Sequence, residues 1–178
     1  VEVGEKIDKL GLRTSDTAPV YFDNVRVPMR FRIGEEGAGF SMQMQQFQEE
    51  RIFLAASALV ILDDCIEQTI NFCKERKAFG KRVLDNQAIQ FRLAELQIEI
   101  ESLRSLIYRA CEEFVSGKDM TYLASMAKFK CGKLIREVSD SCLQYWGGMG
   151  FTWENPLSKV YRDGRLTVSY THLRAHET

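Results

Sequence analysis

Apolar or small residues recur at Phe40, Met44, Phe47, Leu54, Ala58, Ile61 and Cys65, the three-and-four spacing of one helical face. The spacing predicts a long first helix from Phe40 to about Arg76, broken by Lys77-Ala-Phe-Gly-Lys-Arg82. A second stripe runs through Ile89, Leu93, Leu96, Ile100, Leu103, Ile107 and Cys111, with Asp85 or Asn86 as N-cap and an end near Ser116-Gly117. A third helix, capped by Asp119, carries Leu123, Ala127, Leu134, Val138, Cys142 and Tyr145 inward. A short fourth segment follows from Pro156 through Arg162. No proline lies between Pro28 and Pro156, so nothing interrupts these elements, and short connections make the long helices antiparallel neighbours.

Residues 1–33 have another character. Val20-Tyr-Phe-Asp-Asn-Val-Arg-Val27 is β-rich, flanked by Pro19 and Pro28 and preceded by the turn-prone Thr14-Ser-Asp-Thr17. It predicts the last strand or two of a β-domain, which need a further packing partner because two strands are marginal alone. Gly34-Glu-Glu-Gly-Ala-Gly39 is a connector into the first helix. The chain opens at Val1 within this strand pattern, as a fragment of a longer protein would. From about Val168 the apolar periodicity stops, and the final string, with His172 and His176, is read as adapter-derived sequence with no part in a metal site.

One gap in the first stripe holds charge. Glu50 and Arg51 sit there, with Phe47, Phe53 and Leu54 as helical neighbours of Glu50. Desolvation by such neighbours favours a neutral carboxyl and raises its pKa toward that of a general base. The same pair also fits a charged step at the helix rim, or a core charge met by a partner.

Composition narrows the class. Of 178 residues 45% are hydrophobic and 28% charged, with net charge −1 and both signs interspersed, which favours a globular protein without nucleic-acid or anionic-membrane partners. The longest uncharged apolar run, Ile52 to Leu62, is about half a membrane span. Five scattered cysteines (Cys65, Cys73, Cys111, Cys131, Cys142) indicate free thiols rather than a disulfide framework or metal site.

Four stretches in order resemble the acyl-CoA dehydrogenase family: Leu12-Arg-Thr-Ser-Asp-Thr17 with Phe22-Asp-Asn-Val-Arg-Val-Pro28; Gly34-Glu-Glu-Gly-Ala-Gly-Phe40; Glu75-Arg-Lys-Ala-Phe-Gly-Lys81 with Asn86-Gln-Ala-Ile89; and Gln144-Tyr-Trp-Gly-Gly-Met-Gly-Phe151 with Tyr161-Arg-Asp163. The resemblance covers about Lys9 to Leu166. It implies a mainly α fold, the family's up-down antiparallel four-helix bundle preceded by the last strands of its middle β-domain. The domains would then be 1–33 for the β-domain end, 34–166 for a bundle lacking its last helix, and 167–178 for the tail.

The resemblance also implies chemistry: FAD-dependent α,β-dehydrogenation of an acyl-CoA thioester. A glutamate takes the α-proton and the flavin accepts the β-hydrogen as hydride. In many members that glutamate lies in a Tyr-Glu-Gly type loop after the Arg-Asp motif. In long-chain and isovaleryl-type members it comes from the first bundle helix, immediately before an arginine, and Glu50 before Arg51 matches that pattern. Gln48, Glu49 and Arg51 fall where the family contacts the CoA part of the substrate. Arg76, Lys77, Ala78, Phe79, Asn86 and Gln87 resemble the segment that reaches the FAD of a neighbouring subunit. Gln144, Tyr145, Trp146, Gly147 and Gly148 resemble a loop touching the same flavin. Also implied are a homo-oligomer, a dimer of dimers sharing FAD across the dimer interface, and electron-transfer flavoprotein as acceptor. The location would be the mitochondrial matrix in a eukaryote or the cytoplasm in a bacterium. An acyl-CoA oxidase of the same fold, or a non-catalytic oligomerisation bundle, fits the same residues.

Overall fold

A computed structural model describes residues 1–169. His172, His176 and the string beyond Ser169 lie outside the described residues. The described chain is mainly helical: α1 spans Gly39–Glu75, α2 Gln87–Val115, α3 Thr121–Trp146 and α4 Pro156–Ser169. Two short antiparallel ribbons accompany them, β1 (Glu2–Val3) with β2 (Val20–Tyr21) and β3 (Lys77–Ala78) with β4 (Lys81–Arg82).

The expected boundaries follow from side chains that satisfy open backbone donors. The Asn86 side-chain oxygen accepts from Ala88 N at 3.1 Å and starts α2. The N-cap of α3 is Met120 rather than the expected Asp119, which stands one residue earlier and whose Oδ1 accepts from Thr121 N at 2.9 Å and from the Thr121 hydroxyl at 2.6 Å. Those hydrogen bonds hold the Asp119 carboxyl below its ordinary pKa.

α3 packs against α1, α2 and α4. Where the three long helices meet, Leu62, Leu96, Ile100, Leu103 and Val138 are fully buried. α4 is longer than the expected Pro156–Arg162. Leu157 is buried and Gly164 is packed tightly on α3, where a Cβ would stand 3.1 Å from the Ile135 side chain. That close approach carries the helix past Arg162.

Two sequence expectations need correction. The buried side of α1 is Ile52, Ala55, Ala58, Leu59, Leu62, Cys65, Ile66, Thr69 and Cys73, so only Ala58 and Cys65 of the predicted stripe are in the core. Phe40 is 75% exposed, and Leu54 and Ile61 line an open cavity of about 500 Å³ against Leu157, Val160 and Leu166 of α4. The cause is plain: from Ile52 to Leu62 nearly every position is apolar, so periodicity selects no single face and the neighbouring helices decide. The second correction concerns Val20–Val27, of which only Val20–Tyr21 forms a strand. Residues 1–33 contain no buried side chain. They are tied to the helices where Leu12 N donates to Asp163 Oδ1 at 2.7 Å.

Candidate functional site

Two clusters of site candidates sit toward opposite ends of α1. Glu50 and Arg76 are separated by roughly 39 Å along the helix at 1.5 Å per residue.

In the first cluster, Gln48 and Arg51 are half-buried while Glu49 and Glu50 are exposed. Arg51 Nη1 donates to Gln48 Oε1 at 2.9 Å, and Gln48 Nε2 donates to the Met44 carbonyl at 3.1 Å. Gln46 Nε2 donates to Glu50 Oε1 at 3.1 Å. The expected desolvation of Glu50 is therefore not provided by its own helix: Phe53 is 70% exposed and turned to the same open side. Across the core, Lys128 on α3 is buried and donates to the Thr167 carbonyl of α4. Burial, joined by the field of Arg51, lowers the Lys128 ammonium pKa. Sequence reasoning passed over Lys128, although it completes an inward row with Ala124, Cys131 and Ile135 at helical spacing.

The second cluster joins the end of α1 to the end of α3. Arg76, Tyr145, Trp146, Gly147 and Gly148 line one cavity of about 400 Å³ together with Phe72, Val83 and Met149. Trp146 is the last residue of α3, and its ring stacks on Phe72 with centroids 4.1 Å apart and planes at 10°. Its indole Nε1 donates to Thr69 Oγ1 at 3.2 Å. The next residue, Gly147, has φ +57° and ψ −137°, a conformation open essentially to glycine alone. A Cβ at Gly147 or Gly148 would meet nothing within 4 Å, so this backbone faces free space that a ligand can enter closely.

The β3–β4 ribbon projects beside this cavity. Its turn residues Phe79 and Gly80 both have positive φ, +52° and +81°, the arrangement of a tight two-residue hairpin turn. Phe79 is not glycine and its side chain is fully exposed. Arg82 braces the ribbon through Asp85 at 2.8 Å. Gln87 is exposed in the first turn of α2, where backbone N–H groups favour anions, whereas the Asn86 side chain is engaged in capping. Gln144 is exposed and does not line the cavity.

The donor set fits FAD. A guanidinium offers fork geometry to a pyrophosphate, an exposed amide offers a neutral handle, and bare glycine backbone admits a flat ring system. Burial pushes the Cys65 thiol up to about 12 and those of Cys131 and Cys142 to about 11, so these three stay protonated at neutral pH.

The turn is held tightly at its far end. A Cβ on buried Gly150 would stand 2.6 Å from the Leu143 carbonyl oxygen. Gly150→Ala is expected to destabilise by about 1–3 kcal/mol through that overlap, whereas Gly148→Ala, with open space around it, stays within about 0.5 kcal/mol. Thermal melts of both variants check the contrast.

Among the described residues no helix is long and apolar enough to cross a membrane. The family model for the acyl-CoA dehydrogenase C-terminal domain matches residues 37–171. The short/branched chain specific acyl-CoA dehydrogenase of Bos taurus mitochondria is 36% identical over 170 residues, 96% of this chain and 39% of that protein. The mitochondrial long-chain specific acyl-CoA dehydrogenase of Mus musculus is 36% identical over 167 residues, 94% of this chain and 39% of that protein. The structure of butyryl-CoA dehydrogenase from Megasphaera elsdenii superposes with a TM-score of 0.90 at 35% identity, over 96% of this chain and 44% of that one. The chain thus spans about two fifths of the length of the curated relatives it matches.

Proposed function

This chain belongs to the acyl-CoA dehydrogenase family, and we propose that it is the C-terminal part of a flavin-dependent enzyme that oxidises an acyl-CoA thioester across its α and β carbons. Residues 1–33 are read as the end of the middle β-domain and 34–166 as the helical bundle. The observation that carries the reading is the convergence of Arg76 with the Trp146-Gly147-Gly148 turn on one cavity.

Arg76 would hold the pyrophosphate of FAD, supported by Lys77, Ala78, Phe79, Asn86 and Gln87 around the hairpin and the start of α2. Gln144 through Gly148 would border the same cofactor by backbone approach. When bound, FAD supplies the oxidant that accepts the β-hydrogen with its electron pair. Glu50 takes the α-proton onto its carboxylate, so that the two C–H bonds break and one C=C bond forms. Arg51, oriented by Gln48, would offer a fixed positive charge to the CoA part of the substrate, with Glu49 at the rim.

The two clusters are separated by roughly 39 Å along α1. That distance supports a shared arrangement in which the hairpin and glycine turn of one copy border the flavin of another, in a dimer that pairs into a tetramer. Electron-transfer flavoprotein is the proposed acceptor. The location would be the mitochondrial matrix in a eukaryote or the cytoplasm in a bacterium.

Adding acyl-CoA anaerobically to the complete protein is expected to bleach the oxidised flavin band and release the enoyl thioester. Stoichiometrically bound flavin that no straight or branched acyl-CoA bleaches would sink the reading.

A further inference from the structure

The geometry points to Thr69 as the residue that positions the Trp146-Gly147-Gly148 turn, and through that turn the flavin site; this rests on the flavin reading above. Thr69 is fully buried on α1, one turn from Cys65 and from Cys73 on the same face. Valine would fill this space with the same shape and without a hydroxyl to satisfy. A buried hydroxyl persists at little cost only where it is hydrogen-bonded, and here the indole Nε1 of Trp146 donates to it at 3.2 Å.

The Trp146 ring is thus restrained twice from α1: at its edge by Thr69 and on its face by Phe72, 4.1 Å away. Thr69, Phe72 and Arg76 follow at three- and four-residue spacing, so they share one side of α1. Thr69 and Phe72 therefore set the turn's height and angle relative to the Arg76 charge. Gly147 leaves the helix immediately after Trp146 in its glycine-only conformation, so a rotation of the ring swings the turn as a lever. Phe72 alone permits the ring to slide or spin in its plane, because stacking is broad in those directions. The hydrogen bond removes that freedom. Thr69 is not among the residues that line the cavity of Arg76 and Trp146, and is a positioning residue.

The test uses the complete protein, stripped of flavin and titrated with FAD. Thr69→Val is expected to weaken FAD binding roughly tenfold, the worth of one well-placed hydrogen bond, while Thr69→Ser stays within about twofold of the parent. In a Trp146→Phe background, which removes the donor, Thr69→Val should add no further loss. A 5-fluorotryptophan resonance assigned to Trp146 reports ring placement independently of flavin; it should move in Thr69→Val and return in Thr69→Ser. An unmoved resonance, unchanged FAD affinity in Thr69→Val, equal losses in the Val and Ser variants, or an undiminished effect in the Trp146→Phe background would each overturn the assignment. Arg76→Ala separates the two levels. If it weakens FAD while Thr69→Val does not, only the role of Thr69 fails; if Arg76→Ala leaves FAD affinity intact, the flavin reading fails and takes this inference with it.

Discussion

Replacing Glu50 by Gln in the complete protein is expected to leave the flavin bound and to slow its bleaching by acyl-CoA by ~10²–10⁴-fold, the usual contribution of a positioned base. The substitution keeps the size of the side chain and its place on α1, and removes only the carboxylate proposed to accept the α-proton. Flavin binding should survive because the candidate flavin contacts lie at the other end of the helix. The position matters as much as the acid. Glu50 is exposed on this chain, held on one side by Gln46 at 3.1 Å, and the ordered Gln48–Arg51 pair occupies the adjoining half-buried face. A carboxylate presented this way becomes an effective base when substrate and the facing surface exclude water from it. Rapid-mixing absorbance under anaerobic conditions measures the effect directly. Bleaching within a few-fold of the parent rate would move the base to the segment after Asp163, where other members of the family carry it.

The second large effect is on stability. Leu96→Ala is expected to cost 2–5 kcal/mol, because Leu96 is fully buried where α2 closes on α1 and α3 and its removal leaves a cavity. At roughly 2–4 °C per kcal/mol for a chain of this size, the melting temperature should fall by about 4–20 °C. Ile98→Ala, two residues along the same helix and 64% exposed, should change stability by less than about 0.5 kcal/mol. Circular dichroism melts of the pair provide the measurement. Similar losses from both would mean that α2 does not pack through the Leu93–Leu96–Ile100–Leu103 edge.

The second and third helices were the most legible elements. Their apolar residues recur with charged or polar residues between them, so period and face coincide: Leu93, Leu96, Ile100, Leu103 and Ile107 are all buried, as are Leu123, Ala127, Leu134, Val138 and Cys142. The first helix was legible in length and not in orientation. Its central stretch is apolar all round, and a pattern without a polar face cannot say which side meets a neighbour. The candidate site divided in the same manner. Glycines, arginines and a Glu-Arg step announced themselves as residue types, but Thr69 and Lys128 are ordinary in sequence and became notable only once burial and partners were known.

By itself the sequence determined the helical class, the three long helices, the Asn86 cap of α2, and the residues that mark the family. These depend on local periodicity and short-range hydrogen bonds, which a one-dimensional pattern contains. Tertiary structure alone decided which face of α1 is buried, how far α4 runs along α3, and that Arg76 meets the Trp146-Gly147-Gly148 turn while Glu50 stands roughly 39 Å away along α1. Those outcomes depend on contacts between residues distant in the chain, where the packing of one helix selects among faces that its neighbour's sequence leaves equivalent.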